Sequence, residues 1–275
     1  MHDGFLVHER FRHLKRAILL SVAVIAVYAY HQPLDEPNGG TWFGYTLGGI
    51  GAALILWLMW LGVRKRSYKG AFSLRGWLSA HVYLGLALIV VATLHTGFQF
   101  GWNLHTLAYT LMMLVITSGL YGVYAYARYP SLMTHNSEGV SMDELVTRIA
   151  EIDRECLAAA QPLPDDMMRH VVDASENCRI GGTVRRLLSG TDPNCGTERA
   201  FTTLRDAAAN VPSDLGPTVR AVLQLLGRKR VLLRTARTDA RVKAMLDIWL
   251  FFHIPLSFAL LAALVGHVLS VFFYW

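Results

Sequence analysis

Five apolar runs, each bounded by polar or basic residues, set the pattern of the chain: Ala17–Tyr30, Phe43–Val63, Trp77–Gly97, Leu104–Ala127 and Ile248–Trp275. Crossing a bilayer takes about 20 consecutive apolar residues as helix, so each run is expected to be a transmembrane helix, the first a short one. The fourth runs into ARYP, where Pro130 is expected to stop the helix, since proline lacks the amide that would continue it. Residues 131–246 break the pattern: they are charged and contain no run long enough to span. Within them Ser141 precedes Glu144 as in a capping box, an amphipathic period follows, and Pro162, Pro164, Gly181-Gly182, Pro193, Pro212 and Pro217 mark off several short helices. The expected fold class is all-α: an integral membrane bundle of about five helices with a mostly helical insert. The boundaries are 1–42 for the basic start, first helix and following loop, 43–130 for helices two to four, 131–246 for the insert, and 247–275 for the last helix.

Charge fixes an expected orientation. Only 17% of the 275 residues are charged and 53% are hydrophobic, against roughly 25% charged in soluble domains, so lipid is the expected solvent for much of the chain. A net charge of +6 would suggest nucleic acid in a soluble protein; here the basic residues flank apolar runs, and no nucleic-acid partner is expected. Residues 31–42 and 96–104 contain no Lys or Arg, whereas the N-terminus, residues 64–76 and the insert are rich in them. Positively charged segments stay in the cytoplasm. The N-terminus and insert are therefore expected inside and the C-terminus outside, in a bacterial inner (cytoplasmic) membrane crossed several times. Cys156, Cys178 and Cys195 form no CxxC or CxxCH, which leaves covalent c-type haem and a cysteine zinc site unsupported. In a cytoplasmic insert all three are expected to be reduced.

The candidate chemistry lies in two of the spans. His81 and His95 stand fourteen residues apart in the third, and His253 and His267 fourteen apart in the fifth. Fourteen residues of helix rise about 21 Å and return to within about 40° of the same face. The last charged residue before each span, Arg75 or Asp247, lies six residues before its first histidine. Both spans run from inside to outside, so His81 lies at the depth of His253, and His95 at that of His267. Histidine within a bilayer is costly and tends to be functional, and two imidazoles at each of two levels suit two haems, each held between a histidine pair. Small residues beside them (Gly48, Gly49, Gly51, Gly85, Gly119, Gly122 and Gly266) fit a macrocycle or close helix packing equally well.

Two parallel helices, each with two histidines fourteen apart, resemble the dihaem cytochrome b superfamily. That group includes the cytochrome b of quinol:cytochrome c reductases and, more distantly, ferric reductase and NADPH oxidase membrane domains. The similarity covers roughly residues 43–127 and 247–275. It implies two haem b groups, with iron bound by His81 and His253 on the cytoplasmic side and by His95 and His267 on the outer side. The chain lacks the PEWY quinol-site sequence and the extra C-terminal helices of the quinol reductases, and the flavin and nucleotide domain of the NADPH oxidases. What the resemblance implies is an electron-transfer subunit of an oxidoreductase complex, working with other subunits and with the quinone pool or another carrier.

His105 at the start of the fourth span, with Trp102, Asn103 and Gln99 beside it, offers polar and aromatic groups near the outer histidine level. These residues are candidates for contacts to a quinone or a haem propionate; an interfacial histidine beside an aromatic-belt tryptophan is the alternative. His2, His8, His13, His31, His135 and His170 show no ligand spacing. The insert carries no Walker loop, dinucleotide fingerprint or triad, and its Arg/Lys-rich end suits anionic lipid or an acidic partner. The competing function class is a haem-free integral membrane protein, a transporter or assembly factor, whose histidines bind metal or pack helices.

Overall fold

The structure, a computed structural model, describes residues 5–31, 39–66, 74–137, 141–209 and 211–273. Their regular structure is helical throughout. After a 3-10 turn at Phe5–Val7 come α1 (His8–Tyr30), α2 (Trp42–Arg66), α3 (Leu74–His95), α4 (Leu104–Ser137), α5 (Met142–Ala160), α6 (Asp165–Glu176), α7 (Val184–Ser189), α8 (Gly196–Ala207) and α9 (Gly216–Phe273). Among the described residues five helices, α1 to α4 and α9, are long and apolar enough to cross a membrane. Pro33, Pro37, Lys69, Tyr274 and Trp275 lie outside the described residues.

The chain divides into two compact units: Met1–Ala127 with Trp249–Trp275, and Arg128–Ile248. In the first, α3 is the inner helix. Its Val91 packs with Val24 of α1 and with Phe43 and Leu47 of α2, while its Leu88 packs with Ile55 of α2, Met112 of α4 and Leu260 of α9. Outward, Leu19, Trp60, Leu114, Phe251, Phe258 and Phe273 are exposed. Large apolar side chains facing outward along whole helices would be untenable in water; with lipid as solvent they need no partner.

Two prolines act differently from expectation or pattern. Pro130 does not stop α4, which continues to Ser137. A proline removes one amide from the ladder and crowds the preceding turn, but the remaining hydrogen bonds of a long helix carry it onward. Pro255 likewise lies inside α9, two residues after His253.

The second unit packs α5, α6, α8 and the first part of α9 around Cys156, Val171, Ala174, Ala200, Leu204, Val222 and Leu226. Ser141 caps α5, its hydroxyl accepting from the amide of Glu144 at 3.2 Å. Lys229 is 1% exposed; its ammonium donates to Asp153 and, at 2.6 Å, to the carbonyl of Ala174, which satisfies a charge that could not otherwise be buried. Burial pushes the carboxyl of Asp153 up, opposed by its bond to Lys229.

The cysteines depart from the expected reduced state. Cys178 and Cys195 form a disulfide, with Cα atoms 4.7 Å apart, and Cys156 alone is free. Compartment reasoning carries no geometry, and the packing of α6 on α8 supplies it. Gly196 lies so close to Asp173 that a Cβ there would stand 2.2 Å from the Asp173 carbonyl oxygen, and its amide donates to Asn177 at 2.7 Å. That contact sets Cys195, the N-cap of α8, against Cys178, just past the end of α6.

Candidate functional site

All four spaced histidines belong to the first unit, two on α3 and two on α9. At one level the rings of His95 and His267 have centroids 6.0 Å apart with planes at 80°. Two imidazoles on opposite sides of one metal ion, each bonded at about 2.0 Å, have centroids roughly 6 Å apart. At the other level His81 and His253 lie within electrostatic reach of each other.

The surroundings fix which ring nitrogen is free. Nδ1 of His81 is 3.1 Å from the carbonyl oxygen of Leu58, and Nδ1 of His95 is 2.8 Å from that of Gly44. A carbonyl only accepts, so in both rings Nδ1 carries the proton. Nδ1 of His253 is 2.7 Å from the hydroxyl of Ser118, which donates its own proton to the carbonyl of Val115 at 2.8 Å. That hydroxyl is therefore the acceptor, and His253 too is protonated at Nδ1. In a neutral imidazole of this tautomer the lone pair sits on Nε2. A ligating histidine has its second nitrogen held in this way, which orients the ring and raises its basicity. His267 differs: its Nδ1 is buried with no hydrogen-bond partner.

Glycines make room for the rings more than for a macrocycle. A Cβ at Gly48 of α2 would stand 2.8 Å from Cε1 of His95, and one at Gly119 of α4 3.6 Å from Cε1 of His253. A Cβ at Gly122 would meet Trp249 at 2.1 Å. The indole of Trp249 donates to the carbonyl of Ser118 at 2.7 Å and lies 5.2 Å from the ring of His253. Gly266 abuts Leu104 and Gly51 makes ordinary contacts with Leu88 and Val91. Gly85 is buried one turn from His81, yet a Cβ there would meet nothing within 4 Å, so the space in front of it is unfilled. Gly49 is exposed with open space before it.

His105 stands beside the His95/His267 pair, its ring centroid 4.4 Å from that of His267 at 84°. Asn103 has a structural role, because its side-chain oxygen accepts from the amide of Thr106 at 2.9 Å and so caps α4. Trp102 is fully exposed, and Gln99 is exposed in the turn that joins α3 to α4. His31, which has no ligand spacing, packs its ring on Trp42 and Phe43 and has a buried Nε2 without a partner. Sequence reasoning missed Ser118, Trp249 and the carbonyls of Gly44 and Leu58. The first two have a signal, the small residues Ser118, Gly119 and Gly122 along one stretch of α4.

Chemically, each level offers two nitrogen donors and no negative charge. Among the described residues no group of three or more His, Cys, Asp or Glu side chains is placed to hold a metal ion. Two imidazoles would supply two of a metal ion's donors and leave the remaining ones to a ligand that brings its own. The paired imidazole donors fit a haem at each level, and at the His81/His253 level the two Nδ1 anchors and the unfilled space at Gly85 add to that fit. No family model, no curated protein and no solved structure matches the chain.

Proposed function

We propose that the chain is a dihaem cytochrome b subunit that carries electrons across a membrane between a redox partner and the quinone pool or another carrier. His81 and His253 would hold one haem and His95 and His267 the other. The observation that carries this reading is the set of anchored imidazoles: three of the four have Nδ1 committed to a neighbouring helix and Nε2 uncommitted. Haem iron with both axial positions taken by imidazole transfers single electrons and leaves no open position for oxygen. The protein's part is to hold each pair of rings from α3 and α9, to brace them from α2 and α4, and to exclude water with apolar helix surfaces. A haem held this way would supply single-electron transfer to a donor and an acceptor at the protein surface, and His105, with its ring 4.4 Å from that of His267, would stand beside the His95/His267 level for that role. The basic N-terminus, residues 64–76 and the Arg/Lys-rich end of the insert favour the cytoplasmic half for the His81/His253 level.

The test is a reduced-minus-oxidised optical spectrum of the purified protein, with pyridine haemochrome quantitation. Two low-spin b-type haems per chain are expected. His81→Ala and His253→Ala should remove one of them, and His95→Ala and His267→Ala the other. A protein purified without haem, or a common signal lost from His81→Ala and His267→Ala, overturns the proposal.

A further inference from the structure

We infer that the second unit carries a lipid-binding foot, formed by α7 and the neighbouring turn of α9, that docks on anionic phospholipid headgroups. From Cys178 to Thr191 the chain contains Arg179, Arg185 and Arg186 and no acidic residue; from Gly227 to Thr238 of α9 it again contains none. The two segments are tied together. Arg237 donates through Nε to the carbonyl of Arg179 at 3.0 Å, and the side chain of Arg241 lies 3.4 Å from where a Cβ on Gly190 would be. The nearby carboxylates are covered: Asp192 is 4% exposed, accepting from the amides of Arg179 and Asn194, and Asp239 is buried.

Arg179, Arg185, Arg234 and Arg241 are exposed. Among the described residues none of them, nor Arg186, pairs with a carboxylate. An uncompensated cluster of arginines attracts the phosphates of an anionic bilayer surface. The apolar side chains separate a lipid surface from an acidic protein or a free phosphate. Val184 and Leu188 stand four apart on one face of α7, and both are exposed, Val184 at 59%. Exposed apolar tips flanked by arginines are the composition of an interfacial helix, which sinks its apolar face among acyl chains while its cations meet headgroups. Arg241 lies eight residues before Trp249 on the same helix, so the patch is near in sequence to a span that is already in lipid.

The full chain in nanodiscs tests this. Val184→Cys gives a single labelling point, because Cys178 and Cys195 are joined and Cys156 is buried with its thiol pushed up to about 11. An environment-sensitive dye at that position should emit further to the blue in phosphatidylglycerol discs than in phosphatidylcholine discs, and doxyl-labelled lipid should quench it. Arg185→Glu with Arg186→Glu, or high salt, should return the emission to that of water-exposed dye while the Cys178–Cys195 bond persists. Water-like emission in phosphatidylglycerol, as expected if the patch serves a protein partner, overturns the inference. So does a blue shift of the same size in both lipids and in the charge-reversed chain.

Discussion

Ser118 accepts a hydrogen bond from Nδ1 of His253 at 2.7 Å and donates its own proton to the carbonyl of Val115, 2.8 Å away. One hydroxyl thus fixes both the tautomer and the direction of the imidazole. The indole of Trp249 reinforces it by donating to the carbonyl of the same serine. His267, the partner of His95 at the other level, has no such bond at Nδ1. The two levels therefore differ in how firmly their α9 histidine is held, although their spacing along the sequence is the same.

Ser118→Ala leaves the Nδ1 proton of His253 buried without an acceptor, a loss of about 1–3 kcal/mol. Removing such a partner lowers metal affinity by about 10–100-fold. Haem retention at the His81/His253 level should fall by that order on dialysis, while the His95/His267 level keeps its haem. Ser118→Thr, which retains the hydroxyl, should restore binding. Equal retention in wild type and Ser118→Ala would leave the serine without a positioning role.

Gly48 and its neighbour Gly49 make a matched pair of probes. A methyl group at 48 would lie 2.8 Å from Cε1 of His95, whose Nδ1 is tied to Gly44, so the ring must move. At 49 the methyl meets nothing within 4 Å. Gly48→Ala should weaken or shift the outer-level signal alone in a redox-titrated spectrum, and Gly49→Ala should leave both signals as they are.

Much of this arrangement is legible in the sequence, and the remainder fails for identifiable reasons. The spans and histidine spacing are periodic features of residue type, and α3 and α9 carry them as read. Carbonyl anchors such as Leu58 and Gly44 are invisible because every residue has a carbonyl and only packing selects one. Asn103 does carry a readable signal, since asparagine three residues before Thr106 at a helix start is a cap before it is a ligand contact. Pro130 misleads in the opposite direction, because one missing amide does not end a long helix. The Cys178–Cys195 bond depends on the approach of Gly196 to Asp173, a tertiary contact between α6 and α8 that no spacing rule encodes.

That bond is countable. Denatured without reductant and treated with a polyethylene-glycol maleimide, the chain should gain one adduct, at Cys156; after reduction it should gain three. Three adducts before reduction, from protein prepared with thiols trapped in acid, would mean that Cys178 and Cys195 are separate thiols in the cell.

Cys156 also gives the insert an alkaline limit. Burial, with the Asp153 carboxylate adding to it, pushes this thiol from 9.0 up to about 11. A folded-state value raised above the unfolded one favours the protonated form in the fold. Its contribution is complete below pH 9 and is lost as pH rises from 9 through about 11, amounting to about 3 kcal/mol in all. Urea unfolding followed by circular dichroism at pH 8 and pH 10.5 should show that loss, and Cys156→Ala should show less of it.

His105 is the last group to place. Its ring meets that of His267 edge to face at 4.4 Å, and α4 is held in register there by the Asn103 cap, so its position is set by the helix start rather than by a loop. It forms no pair across the bundle of the kind His95 and His267 form, which gives it no role as an axial ligand. It is instead a polar aromatic group beside the His95/His267 level, next to a turn with an exposed Gln99 and a fully exposed Trp102. Quinones are held by carbonyl hydrogen bonds and ring contacts, and His105 can supply both. His105→Ala should therefore keep both haems and their low-spin spectra while slowing reduction or reoxidation of the outer one by a quinol or quinone analogue. Stopped-flow mixing of wild type and variant with quinol reads this directly. Equal rates would remove His105 from the electron-exchange site and leave it a packing partner of His267.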